Sequence, residues 1–534
     1  HQEEKPQHLL VKVLGYLLLQ KSFRYIKITD EFSKVNNIFL DYFRHGKNKE
    51  SLIKHLSLYR ASVYEEEVVD NVFYVDILYA VIIRAIEYSS WALLPGYSKL
   101  SVDIWQPYLE ENSSMKILWP AQQLIGKKEI LCGKNAIIQL PTGAGKTKGI
   151  ELIIRTAFLA DRADTVIVVA PLRALCNEIT YDLQRVFGKT VNVNQFSDIL
   201  QLDIMYLFDD EKQKQIIVCT PEKMSYIVHH QTDFLQYVDL FVFDEGHMFD
   251  DGSRGAMYEL LVTHIKEVLS ESQQFVLLSA VLPNAEQIKD WLFDDNGILA
   301  SDPSIDSTLK SIGFTSVRRN VHFYTDNSRE EDYFIPNVLH TEQLTKLPKE
   351  RKERYFPELN EPFDVAIYNA IKLSPKGGVA IYLSQQRSIK TVLEKVVELD
   401  RRGDDLSVFL THSDQVELVK ISKLIEAYYG ADHIYTKCSR LGILPHSSSI
   451  PNGIKLAVEN ALKNDYVRCV VCTSTLAQGV NIPIKYLLVT GMRNNSTYMK
   501  VRNFQNLIGR TARSGIYTEG SIIVTDTKIY DNKD

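Results

Sequence analysis

Gly143, Gly145, Lys146 and Thr147 stand close together in the run Leu140-Pro141-Thr142-Gly143-Ala144-Gly145-Lys146-Thr147. Their types and spacing form a phosphate cradle. The backbone N–H groups of Thr142, Gly143, Ala144 and Gly145 can face phosphate oxygens at a helix N-terminus. The Lys146 ammonium reaches the β and γ oxygens of a nucleoside triphosphate, and the Thr147 hydroxyl ligates Mg2+. The strict pattern has Gly where Leu140 stands. A second set lies downstream in Asp244-Glu245-Gly246-His247. Asp244 can hold the same Mg2+, and Glu245 can polarise the attacking water. His247 is placed to sense the nucleotide and contact another domain. ATP and Mg2+ are therefore the expected cofactors.

The elements that position these residues follow from the flanking runs. Ile137-Ile138 reads as a strand leading into the Gly loop, and Gly149 to Arg155 as the helix leaving it. Leu240-Phe241-Val242-Phe243 is a strand that ends at the carboxylates. Three more apolar strands are Val166–Val169 before Ala170-Pro171, Ile216–Cys219 before Thr220-Pro221, and Phe275–Leu278 before Ser279-Ala280-Val281. Buried strands alternating with helices mean a parallel doubly wound sheet whose function sits at the strand C-terminal ends. Upstream, Gln122 in Leu118-Trp119-Pro120-Ala121-Gln122 can read adenine, because its amide both donates and accepts.

A second set of strands follows. Gly378 to Leu383 leads into Ser384, and Val467 to Cys472 leads into Thr473. Later, Arg510 and Arg513 in Gly509-Arg510-Thr511-Ala512-Arg513 share one face of a helix. Two such cations can meet the γ-phosphate of a nucleotide held by the other lobe. Residues 1–116 carry no nucleotide motif. His8–Leu19 and Val68–Ile86 have helical apolar spacing, while Pro95-Gly96 and Pro107 break it. A helical accessory domain is expected there, with a partner surface or simple packing as its use. Asp326 to Leu359 is dense in charge and proline, and a solvated insertion is expected. The expected layout is a helical domain at 1–116, a first α/β lobe at 117–312, a crossover with the charged insertion at 313–360, and a second α/β lobe at 361–534.

Composition sets further bounds. The chain has 534 residues, 45% hydrophobic and 24% charged, with net charge −6. Nothing overall advertises nucleic-acid binding, although a basic channel can sit inside an acidic shell. The polar start predicts no signal peptide. No apolar run reaches the ~18 residues of a membrane span. Six scattered cysteines suit a reducing cytoplasm. Cys469-Val470-Val471-Cys472 matches a metal or redox spacing, but residues three apart on a strand point to opposite faces.

Taken in order, the motifs from Leu118 to Arg513 resemble a superfamily 2 helicase of the Ski2-like group. The resemblance rests on the Pro-Thr-Gly-x-Gly-Lys-Thr loop, Pro171–Leu175, Leu282–Glu286 and Ser474–Pro483. The Asp-Glu-Gly-His form and the Arg510–Gly515 run also resemble bacterial anti-phage defence helicases of the Hachiman type. The resemblance implies two RecA-like lobes and ATP-driven 3′ to 5′ movement on nucleic acid, DNA favoured over RNA. It places Gly479 on the nucleotide and Arg173, Thr220, Ser384 and Thr473 on nucleic-acid phosphates, and it implies a partner nuclease or effector chain. It also implies a strand-separating hairpin between Ile484 and Asn503, with a turn at Asn494-Asn495, Met492, Tyr498 and Met499 for stacking, and Arg493 and Lys500 for phosphates. Three departures stand out: Val281 replaces a Thr, Asn506 a Gln, and His446-Ser447 a tandem His. An RNA helicase and an ATP-switched clamp without strand separation are the alternatives.

Overall fold

The computed structural model describes residues 31–65, 68–111, 115–141, 143–196, 213–250, 252–280, 282, 284–305, 308–324, 333–473, 484–494, 497–499, 501–509, 511–512, 517 and 519–532. It divides into two units, with the boundary between Ile305 and Asp306. Each unit is built on its own sheet, and both are α/β with RecA-like lobes.

The first sheet has seven strands: β1 (Ala136–Gln139), β2 (Thr165–Val169), β3 (Asn192–Gln195), β4 (Gln215–Cys219), β5 (Leu240–Phe243), β6 (Gln274–Ser279) and β7 (Ile298–Ser301). Their order is β3-β4-β2-β5-β6-β1-β7, and every pairing is parallel. The central strands are buried along their whole length, as continuous Val/Ile/Leu runs require when helices cover both faces. Alternate residues divide between two cores. Ile138, Val168 and Val242 face one, and Ile137, Val169 and Phe243 face the other.

The N-terminal helical region is present, but it does not stand apart as a domain. Its helices include Glu31–His45, Lys49–Glu65, Val69–Glu87, Ser90–Ser98 and Val102–Glu111. Leu52, Ile82, Trp91 and Trp105 belong to the same apolar core as Ile138 and Val168 of the first sheet. The expected proline breaks are also absent: Pro95 and Pro107 lie inside helices. Buried Trp91, Leu94, Trp105 and Leu109 hold these turns despite the lost N–H, an instance of packing overriding propensity. The expected helix at His8–Leu19 lies outside the described residues.

The second sheet runs β10-β9-β8-β19-β16-β13-β15-β14. Its members are β8 (Leu309–Thr315), β9 (Val321–Tyr324), β10 (Tyr333–Ile335), β13 (Val379–Tyr382), β14 (Ile443–His446), β15 (Cys469–Cys472), β16 (Tyr486–Val489) and β19 (Glu519–Val524). Two short antiparallel ladders accompany it, β11 (Glu342–Gln343) with β12 (Tyr355–Phe356), and β17 (Arg493–Asn494) with β18 (Thr497–Tyr498). Cys469 and Cys472 fall into the cores on opposite faces of β15, as strand geometry requires. Burial pushes both thiols up.

The 313–360 stretch differs from expectation. Strands β8 and β9 extend the second sheet, with β8 parallel to β19, so they belong to this lobe. The charged stretch beyond them is not wholly solvated. The Arg402 side chain is only 2% exposed and donates to both carboxylate oxygens of Glu350 at 2.8 and 2.9 Å, to Glu398 at 2.6 Å and to the Thr345 carbonyl at 2.8 Å. That bidentate clasp fastens the charged stretch to the Arg387–Arg402 helix.

Among the described residues, no helix is long and apolar enough to cross a membrane.

Candidate functional site

β1 delivers the chain to the Gly loop, and the Leu140 N–H donates to the Ser279 carbonyl at the end of β6. Gly143 and Gly145 then adopt φ of +86° and +98°, the left-handed region where a Cβ is strained. Lys146 opens the Lys146–Leu159 helix immediately after. Helix N–H groups left unpaired at such a start are the donors a phosphate needs. Ala144 is buried, which anchors the loop tip in the core. Thr142 lies outside the described residues.

The sheet order brings the carboxylates to this loop. β6 separates β1 from β5, so the ends of β1 and β5 lie two strands apart in one sheet. The Lys146 ammonium sits 3.2 Å from Oε1 of Glu245, with the two side chains only 11% and 13% exposed. His247 Nδ1 lies 3.1 Å from the other Glu245 oxygen. Asp244 is buried, and its Oδ1 accepts the Glu245 N–H at 2.9 Å. Glu245 has φ +58°, a conformation that costs a non-glycine residue about 1–2 kcal/mol. The following turn, Gly246–Asp250, packs closely on β6: a Cβ at Gly246 would lie 2.8 Å from Cγ of Leu277. Below the carboxylates, Tyr258 is fully buried against Phe243 and Phe249. Burial first, and the charges of Asp244 and Glu245 next, raise its phenol well above its ordinary value.

Gln122 is buried in the first turn of the Pro120–Lys127 helix. Its Oε1 accepts the Trp119 N–H at 2.7 Å, and its Nε2 donates to the Gly145 carbonyl at 3.4 Å. The amide thus ties a helix start to the phosphate loop.

The residues assigned to nucleic-acid phosphates form one pair in each unit. In the first, β2 and β4 are parallel neighbours, and Ala170 N–H donates to the Cys219 carbonyl. Exposed Arg173 opens the helix after β2, while Thr220 caps the helix after β4 by accepting the Lys223 N–H. In the second, half-buried Ser384 follows β13, and buried Thr473 follows its neighbour β15. Gly479, Arg510 and Arg513 lie outside the described residues, as does Val281. His446, at the site of the missing tandem His, is buried and bonded to Glu459 at 2.8 Å.

The expected hairpin is present as the β17–β18 ladder, with Arg493 opposite Tyr498. The Arg493 guanidinium lies over the Tyr498 ring at 4.4 Å and donates to its hydroxyl. Tyr498 is 68% exposed. Asn495 at the turn and Lys500 are outside the described residues.

Sequence reading missed three residues on the Gly252–Val268 helix: Arg254, Gly255 and Tyr258. They form no motif with the strands, because their partners Pro171, Glu222, Phe243, Met248 and Phe249 lie earlier in the chain on other elements.

Residues 120–288 match the DEAD/DEAH box helicase family model. The chain is 28% identical to the Hachiman protein HamB of Bacillus cereus over 94% of its own length and 47% of that protein's. It is 26% identical to the ATP-dependent DNA helicase MER3 of Saccharomyces cerevisiae, covering 74% of this chain and 30% of that one. It is 23% identical to the ATP-dependent DNA helicase Hel308 of Methanococcus vannielii, covering 77% and 51%. The chain therefore spans about half or less of the length of these relatives. With the phosphate loop, the Asp-Glu-Gly-His turn and the two RecA-like sheets in place, the chain carries a DEAD/DEAH box helicase domain at residues 120–288 and is similar to Ski2-like superfamily 2 helicases.

Proposed function

We propose that this chain is the motor of an ATP- and Mg2+-dependent helicase that moves 3′ to 5′ on DNA. The observation that carries the reading is the convergence of Lys146, Asp244 and Glu245 at the ends of β1 and β5. In it, the backbone of Thr142, Gly143, Ala144 and Gly145, with Lys146, holds the triphosphate. Gln122 meets the adenine once its present bonds are exchanged. Glu245 orients the attacking water. Gly479, Arg510 and Arg513 are assigned to the same nucleotide by the motifs they match.

A divalent cation suits the residues present. Glu245 meets the Lys146 ammonium and buried Asp244 is its neighbour in the chain, so the site carries two carboxylates against one cation and a further positive charge is accommodated. Thr147 and Asp244 would hold Mg2+, which would neutralise charge developing on the phosphates.

Arg173, Thr220, Ser384 and Thr473 would meet phosphates rather than bases, so binding is sequence-tolerant and falls with salt. The β17–β18 hairpin would present Tyr498 to the last base pair. The similarity to the Hachiman protein HamB supports a role in anti-phage defence; in this reading the chain works in the cytoplasm, with a nuclease or effector chain bound through the N-terminal helices.

The test compares ATPase stimulation by single-stranded DNA and RNA at fixed salt, alongside displacement of an annealed strand. DNA-specific stimulation with displacement is expected. RNA-specific stimulation would make the chain an RNA helicase. Steady turnover with no displaced strand would make it a clamp.

A further inference from the structure

The Gly252–Val268 helix touches both halves of the first unit's machinery. On one side it backs the carboxylate turn. A Cβ at Gly255 would lie 2.5 Å from the Phe249 carbonyl oxygen and 2.8 Å from that of Met248, so only glycine lets the helix sit this close. Tyr258, one turn on, lies fully buried beneath the turn. On the other side, Arg254 reaches two separate segments. Its Nε donates to Glu222 Oε1 at 2.5 Å, and its terminal nitrogen donates to the Pro171 carbonyl. Pro171 lies one residue before Leu172, the N-cap of the helix opened by Arg173, and Glu222 is in the first turn of the helix capped by Thr220.

One guanidinium thus bridges the starts of both helices. They follow β2 and β4, which pair in parallel along their whole length. The fork of Arg is suited to this because it donates in two fixed directions, whereas a lysine ammonium donates from a single point on a flexible stem.

We propose that Arg254 is a positioning residue that couples nucleic-acid contact at the Pro171–Arg173 and Thr220–Glu222 segments to ATP turnover at the Asp244–Glu245 turn. The inference rests on the helicase reading above. Phosphate contact that shifts either helix start pulls on Arg254. The helix carrying Arg254 is wedged against the turn through Gly255, so the shift reaches Glu245 through packed atoms.

The experiment titrates single-stranded DNA against ATPase rate for wild type, Arg254→Ala, Arg254→Lys and Glu222→Gln, with the urea midpoint of each as a check on folding. For Arg254→Ala, the ratio of stimulated to unstimulated turnover is expected to fall about tenfold, equivalent to about 1.4 kcal/mol. The half-activating DNA concentration should rise while unstimulated turnover stays within about twofold of wild type. Arg254→Lys should recover part of the ratio, and Glu222→Gln should lose part of it. If Arg254→Ala does not fold, the graded losses in the other two variants decide the question. An unchanged ratio, or parallel loss of stimulated and unstimulated turnover, overturns the coupling role. A wild type that no nucleic acid stimulates instead overturns the helicase reading.

Discussion

Glu245→Gln is expected to tighten ATP binding while abolishing most turnover, and the two effects have separate causes in the structure. The Lys146 ammonium is held 3.2 Å from the Glu245 carboxylate, and both side chains are largely buried. At an effective dielectric of 20, that separation corresponds to about 5 kcal/mol of gross attraction. ATP must draw Lys146 away from Glu245, so part of this attraction opposes binding. The amide of Gln keeps the shape and still accepts a hydrogen bond, but it carries no charge. If about a quarter of the gross term is released, affinity rises by about 1.4 kcal/mol, which is tenfold in Kd. Turnover should fall by about 10²–10⁴, the usual contribution of a general base. Calorimetric titration with a non-hydrolysable ATP analogue measures the first effect, and steady-state phosphate release the second. The pair is largely buried, so the tightening should persist at high salt. Unchanged or weaker analogue binding by Glu245→Gln would refute the idea that the carboxylate competes for Lys146.

Three further outcomes are expected. Gly145→Ala places a Cβ at φ +98° and 2.7 Å from Nε2 of Gln122, and left-handed strain alone costs the folded state about 1–2 kcal/mol; the urea midpoint should fall by a corresponding amount and the KM for ATP should rise as the loop shifts to relieve the strain, so an unaltered KM counts against the loop geometry. Arg402 first, then the Leu347 N–H and the nearby Arg354 charge, hold the Glu350 carboxyl at about 2 instead of 4.5. Its folded pKa is depressed, so its stabilisation is present above pH 4.5 and is lost as pH falls toward 2; the difference in urea midpoint between wild type and Glu350→Gln should shrink across that window, and a constant difference would show that Glu350 is not the titrating group. Tyr498→Ala removes the ring beneath the Arg493 guanidinium, and duplex unwinding should fall while DNA-stimulated ATPase survives; equal loss of both, or of neither, removes the hairpin from strand separation.

What could be read from the sequence was what local spacing controls. Lys146 and Thr147 follow the Gly loop directly, and Asp244 and Glu245 end an apolar strand, so short-range chemistry names them. The period-two division of Cys469 and Cys472, and the short ladder that pairs Arg493 with Tyr498, are equally local. Pairings over long separations were decided by the fold. Lys146 meets Glu245 across 99 residues because the strand order β5-β6-β1 sets the ends of β1 and β5 two strands apart in one parallel sheet. The lobe boundary falls at Ile305 because β8 finds its partner in β19, more than two hundred residues on, and no local pattern announces that ladder. Pro95 and Pro107 look like breaks in isolation, yet the burial of Trp91 and Trp105 in the first core keeps their helices intact. The charged stretch around Glu350 looks solvated until Arg402, on a separate helix, supplies its counter-charge. Arg254 joins two helix starts that precede it in the chain, and its role exists only once the parallel sheet has set β2 beside β4. Local spacing fixes which groups are chemically able to act, whereas burial and long-range pairing, which depend on strand order, decide which of them meet.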